Sequence, residues 1–199
     1  MPRTSASVNV QRLTVMALLA AMLVLFAVPP LGSIAIGPAS ITLSHLPVII
    51  ALLSEGLWPG VAMSVLMGLI SLLRAFTSPT GPMDYLFINP VISVLPRVAI
   101  PFAAWGAYSL LKKIKPNHRL LAWGAAGLAG SMANTVAVLG MLALLSGQAV
   151  ANILSIEIGA VMGILGGLVV TNGLPEAFVL MILTPVLMHA ISMARRRRS

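Results

Sequence analysis

The chain has 199 residues, 59% of them hydrophobic and 8% charged, a formal net charge of +8 and a mean hydropathy of +1.03. That composition excludes a soluble domain and describes a multi-spanning α-helical membrane protein with one domain over 1–199. Long unbroken apolar runs exclude an outer-membrane barrel, and the lack of cysteine excludes disulfides and thiolate metal sites.

Apart from Arg74 and Arg97, every lysine and arginine falls in one of three places. These are Arg3 with Arg12; Lys112, Lys113, Lys115 and Arg119; and residues 195–198. Clusters placed in this way mark cytoplasmic loops, not a nucleic-acid groove, so no nucleic acid is expected as a partner.

In chain order, residues 1–12 read as a polar cytoplasmic leader and 13–29 as a first span at the short end of what crosses a bilayer. That run is long and no small-x-small site follows it, so it is not read as a cleaved signal peptide. Ala17 and Ala21, reinforced by Ala20, place small side chains on one helix face and suit close contact with another helix. Residues 30–44 are rich in Gly, Pro and Ser and read as an extended loop. Ser44 is placed to cap a short second span with Pro47 in its first turn, ending near residue 57. Trp58-Pro59-Gly60 reads as a tight turn before a third span over 61–76. Residues 77–86, with Pro79, Gly81, Pro82 and Asp84, form a second loop on the side of the first.

The fourth span, 89–111, carries Asn89, Ser93 and Arg97, each four apart and so stacked along one helix face. An arginine inside an apolar run must be paired, hydrated or liganded. Pro90 fits the first turn of a helix that starts at Asn89. Pro96 and Pro101 remove backbone hydrogen bonds from the interior, which predicts kinks and carbonyls that another group must satisfy. Arg97 lies about 12 Å along the helix from Asn89.

After the basic hairpin 112–119 comes a fifth span over 120–145, with Asn134 about halfway along. A last span over 174–193 opens on Leu174-Pro175-Glu176 and is expected to kink at Pro185. Between them, 148–170 is apolar enough to cross as well. Seven spans would put 195–198 opposite the other basic clusters, whereas six keep all three together. The expectation is therefore an all-α, six-transmembrane-helix bundle with both termini cytoplasmic, kinked fourth and sixth helices and a basic tail at 194–199. Residues 148–170 would lie on the outer side or fold back into the bundle. Gly159, Gly163 and Gly167 predict a face there for close helix contact.

Sorted by depth, His45, Arg74, Asp84, Asn89, Glu157, Asn172 and Glu176 fall at the outer side, with Arg97 and Asn134 deeper. Together they outline an outward-facing cavity. Each has a plainer reading too: Arg97 and Asn134 as ties between helices, Asn89 as a cap, Glu176 as an answer to the helix dipole. Arg74 and Asp84 can simply be interfacial charges. His45 has no second histidine at ligand spacing and His189 reads as interfacial, so neither metal nor cofactor is expected. No Gly-x-Ser-x-Gly, Walker A or His-Glu-x-x-His sequence is present, so the chain is not read as an enzyme. Energy for movement against a gradient would come from another chain.

Four stretches carry a resemblance. They are Ile41-Thr42-Leu43-Ser44-His45-Leu46-Pro47-Val48-Ile49-Ile50, Phe87-x-Asn89-Pro90-x-x-Ser93-Val94-Leu95-Pro96-Arg97, Asn134-Thr135-Val136 and Asn172-Gly173-Leu174-Pro175-Glu176-Ala177. From about residue 13 to 187 the chain resembles the S components, the substrate-binding membrane subunits of energy-coupling factor (ECF) vitamin transporters, and most of all their pantothenate-type branch. The resemblance implies a bacterial cell-membrane protein that binds a small water-soluble vitamin near the outer face. It implies a transmembrane coupling subunit and two ATPase subunits as partners, with Ala17 and Ala21 contacting the coupling subunit. The substrate-binding residues expected on both grounds are Arg97, Asn89, Ser93, Asn134, Asn172, Glu176 and His45. Residues 148–170 depart from the family by being more apolar than a simple loop. Folate or a cobalamin-related compound would also use such polar groups. A stand-alone secondary carrier would instead need a coupling carboxylate near the midplane, and an enzyme or assembly factor would need groups that are missing.

Overall fold

A computed structural model describes residues 5–28, 33–36, 39–79 and 81–196. Arg3, Arg197, Arg198 and parts of the first expected loop lie outside the described residues. The helices are α1 (Ser5–Ala27), α2 (His45–Glu55), α3 (Leu57–Thr77), α4 (Pro90–Ile114), α5 (Arg119–Leu154), α6 (Ile158–Leu168) and α7 (Leu174–Arg196). A 3₁₀ turn, Pro82–Ile88, leads into α4, and a π turn, Val169–Gly173, joins α6 to α7. Among the described residues four stretches are long and apolar enough to cross a membrane: Leu57–Thr77, Pro90–Ile114, Arg119–Leu154 and Ile158–Arg195. The apolar part of α1, Arg12–Ala27, and α2 are shorter.

Several local expectations change. The first expected loop contains two strands, β1 (Ser33–Ile36) and β2 (Ala39–Thr42), paired antiparallel with Ser33 opposite Thr42. Isoleucine and threonine favour the extended backbone. The leader is helical from Ser5. Ser44 makes no side-chain cap bond. The turn between α2 and α3 falls at Gly56, whose φ of 108° only glycine adopts without strain. Trp58-Pro59-Gly60 then lies inside α3, with Pro59 in the first turn where a missing N–H costs nothing.

α4 remains one helix through Pro96 and Pro101, as α7 does through Pro185. A departure from helical angles falls in α5 at Ser146 (φ −135°, ψ 19°), close to the expected end of the fifth span. Beyond it α5 runs on to Leu154, Ser155 terminates it with φ 54°, and α6 follows. Val161 and Leu165 of α6 are buried with Val138, Leu142 and Val150 of α5, so residues 148–170 are helical on both sides of a break at 155–157 and folded against the bundle. Gly159, Gly163 and Gly167 do not make the expected contact within the chain: among the described residues nothing lies within 4 Å of where their Cβ atoms would stand. Close crossings fall elsewhere: at Gly127 a Cβ would be 2.4 Å from the Leu180 carbonyl oxygen of α7, and at Gly68 of α3 one would be 2.7 Å from the Val94 Cα of α4.

The core forms around α2, whose residues 45–52 are all buried. Leu19 and Leu23 of α1, Met63 and Met67 of α3, Ile100 of α4, Trp123 of α5 and Leu180 of α7 pack around it. Large apolar side chains such as Leu18, Leu73, Phe102, Leu144 and Ile182 are exposed on the outer faces, as lipid contact requires.

The two ends of α2 carry different polar groups. At Glu55, Arg12 Nη2 donates to the Glu55 carbonyl at 3.1 Å and Arg195 Nη1 to the Ser54 carbonyl at 3.2 Å. Arg195 Nη2 also bonds the Glu55 carboxylate. The beginning of α1 and the end of α7 therefore share one end of the bundle, and their cations satisfy the last carbonyls of α2. The opposite end of α2 opens the site.

Candidate functional site

The local sequence sets up two polar anchors. The first residue of α2 is His45, and the first turn of α7 carries Glu176 after Pro175. His45 Nδ1 lies 2.7 Å from Glu176 Oε1, with the two side chains 4% and 9% exposed. The two atoms are in close contact, but neither makes a hydrogen bond among the described residues. His45 Nε2 and Asn134 Oδ1 are buried with no hydrogen-bond partner among the described residues.

Arg97 is the second anchor. Its Nη1 donates to the Ile92 carbonyl at 2.7 Å and its Nη2 to Ser71 Oγ of α3 at 3.2 Å. The guanidinium stands 5.0 Å from the centroid of the Phe87 ring. The Ile92 carbonyl is the one that an N–H at residue 96 would occupy, and Pro96 has none. Every one of these partners is neutral. Among the described residues no carboxylate is within ion-pair distance of Arg97, and its Nε is buried without a partner. A buried cation with neutral partners still lacks a counter-charge.

Both anchors line one cavity of about 270 Å³. Leu23 and Phe26 of α1 and Met67 and Ile70 of α3 supply apolar wall, and Thr42, Ser44, Ser71 and Asn134 supply neutral polar groups. Arg74 Nη2 and Asp84 Oδ2, 3.7 Å apart, join the last turns of α3 to the 3₁₀ turn and line the same cavity. A smaller cavity of about 180 Å³ shares Asn134 and Glu176 with it and is lined also by Thr135, Val138, Leu139 and Asn172. Among the described residues no cluster of His, Cys, Asp and Glu could hold a metal ion.

Residues 11–188 match the family described as "ECF transporter, substrate-specific component". The chain belongs to that family. It is also similar to the pantothenic acid transporter PanT of Lactococcus lactis subsp. cremoris (strain MG1363), at 33% identity across 79% of this chain and 81% of the relative. An S component is the substrate-specific part of its transporter, and the cavity lies where polar residues of five helices, α2, α3, α4, α5 and α7, meet.

Of the residues expected from the sequence, His45, Arg97, Asn134 and Glu176 line the larger cavity of this S component and Asn172 the smaller. Asn89 and Ser93 line neither. Asn89 is exposed and caps α4, its Oδ1 accepting from the Val91 N–H at 2.9 Å. Ser93 is fully buried and its hydroxyl donates to the Phe87 carbonyl. The shared face of the three residues is real, but its first turn meets the 3₁₀ turn and only its deeper part reaches the cavity. Ser71 is not among the residues expected from sequence, and Phe87 enters there only as the first residue of a resembling stretch, not as a site residue. Ser71 had a usable signal, because Met67, Ser71 and Arg74 follow helical spacing on one face; for Phe87 the stretch was visible but its packing on Arg97 was not. Ala17 and Ala21 are exposed while Leu19 and Leu23 are buried, so the small-residue face of α1 points away from the rest of the chain.

Proposed function

We propose that this S component captures pantothenate from outside the cell and passes it inward together with a transmembrane coupling subunit and two ATPase subunits. The observation that carries the reading is Arg97, a buried guanidinium with only neutral partners, facing a cavity whose other polar groups include His45, Asn134 and Glu176. Pantothenate carries a carboxylate at one end and an amide and hydroxyls along the rest. Arg97 takes the carboxylate, Asn134 and His45 meet the neutral groups, and Glu176 accepts from a hydroxyl. The similarity to a pantothenic acid transporter supports the same vitamin. A cavity of about 270 Å³ lies at the small end of ligand sites, which favours pantothenate over folate or a corrinoid.

In this reading the chain crosses a bacterial cell membrane six times, with both termini and the basic hairpin in the cytoplasm. The meeting of Arg12 and Arg195 at Glu55 supports placing the termini on one side. A cysteine at Lys115 should be reached by an impermeant thiol reagent only after the membrane is broken; labelling in intact cells would reverse the orientation.

Binding of labelled pantothenate to the purified protein tests the ligand. Arg97→Ala should weaken binding by about a hundredfold or more, on the order of 2–5 kcal/mol, because the carboxylate loses its partner in a poorly hydrated site. Arg97→Lys should recover only part of it, since a point charge does not reproduce the planar fork. A folded Arg97→Ala protein that binds pantothenate normally would remove this reading.

A further inference from the structure

The interior of an α-helix has no spare carbonyl, because each accepts the N–H four residues on. At Pro96 that donor is missing, and the ring pushes the carbonyl of residue 92 out of line. Arg97, the next residue, turns back and donates Nη1 to that carbonyl at 2.7 Å. Ser71 Oγ holds Nη2 at 3.2 Å, and the Phe87 ring packs against the guanidinium at 5.0 Å. Phe87 is itself held, since its carbonyl accepts from the Ser93 hydroxyl. An arginine side chain has many rotamers, and three contacts of this kind select one before any ligand arrives.

We infer that Pro96 is a positioning residue for anion recognition: by leaving the Ile92 carbonyl open, it fixes the Arg97 guanidinium against α4 and leaves the remaining N–H groups to a carboxylate in the cavity. The inference rests on the reading of Arg97 as the ligand's cation. It assigns to the adjacent Pro96-Arg97 pair a single task, in which the helix gives up one backbone bond and Arg97 takes the acceptor.

Pro96→Ala restores the N–H and draws the Ile92 carbonyl back into the helix. The test measures affinity for pantothenate and for its neutral alcohol, in which CH₂OH replaces the carboxylate, together with the melting temperature. Pantothenate affinity should fall about tenfold, as expected when a charge-assisted bond stops orienting its donor. Affinity for the alcohol should stay the same, and the melting temperature should hold or rise, since proline in a helix interior is destabilising. Pro101→Ala, which relieves another proline of α4 but leaves the Ile92 carbonyl open, should keep both affinities. Equal losses for acid and alcohol, or an equal loss in Pro101→Ala, would overturn the inference in favour of a general effect of helix shape. A Pro96→Ala chain that fails to fold would overturn it as well, because restoring a backbone donor should not cost the fold. Normal pantothenate binding by Arg97→Ala would instead defeat the ligand reading; loss there with full binding in Pro96→Ala would defeat the role of Pro96 alone.

Discussion

His45 and Glu176 meet at 2.7 Å in the interior and tie the first residue of α2 to the first turn of α7. Neither side chain has more than a tenth of its surface exposed, so the two depend on each other. A double-mutant cycle of His45→Ala and Glu176→Gln should show a coupling of about 0.5–3 kcal/mol in unfolding of the ligand-free protein. Glu176→Gln alone should lower pantothenate affinity about tenfold by weakening an acceptor at the hydroxyl end. Strict additivity would mean that the two groups are neighbours without mutual support.

Glu55 answers two arginines from the far ends of the chain. Its side chain is 9% exposed, against 52% for Arg12 and 40% for Arg195. Each arginine is wet enough that its removal alone should cost about 0–1 kcal/mol. Glu55→Gln weakens both pairs and leaves the carbonyl bonds, and should cost about 1–2 kcal/mol, less at high salt. Thermal melting in detergent at two ionic strengths checks this. A melting temperature indifferent to both the mutation and the salt would show that the cluster carries no stability.

Two glycines should respond in opposite ways to the same change. A Cβ on Gly127 would stand 2.4 Å from the Leu180 carbonyl oxygen and 2.6 Å from Thr184 Oγ1. The first of these is backbone, so α5 and α7 must separate, and Gly127→Ala should cost about 1–3 kcal/mol. At Gly159 nothing lies within 4 Å, so Gly159→Ala should be neutral or stabilise α6 by up to about 1 kcal/mol through helix propensity. Comparing the two melting curves decides it, and equal destabilisation would contradict the α5–α7 contact.

The exposed face of α1 leads to a separation of binding from assembly. Ala17→Trp or Ala21→Trp should leave pantothenate affinity unchanged, because neither residue lines the cavity. The same changes should prevent co-purification with the coupling subunit, since a large side chain forbids the approach that alanine allows. Lost affinity with assembly intact would place the face elsewhere in the mechanism.

The sequence alone determined what depends on local composition and spacing. Apolar runs located the long helices, Asn89-Pro90 marked the start of α4, and Pro96 announced a carbonyl in need of a donor. It also showed that Arg97 required a partner, because charge at membrane depth is costly wherever the chain places it. Which partner it took was a tertiary matter: Ser71 on α3 and the Phe87 ring are brought there by packing, not by helical spacing. The approach of His45 to Glu176, and of Arg12 and Arg195 to Glu55, likewise joins residues far apart in the chain. Spacing can say that Asn89, Ser93 and Arg97 share a face, but the elements packed against each turn decided that only Arg97 reaches the cavity. The glycines repeat the lesson. A four-residue repeat permits close contact, yet among the described residues no other helix comes within 4 Å of a Cβ at Gly159, Gly163 or Gly167, while Gly127 sits where two helices cross. Periodicity sets what a helix face can accept; only the arrangement of the other helices sets what it meets.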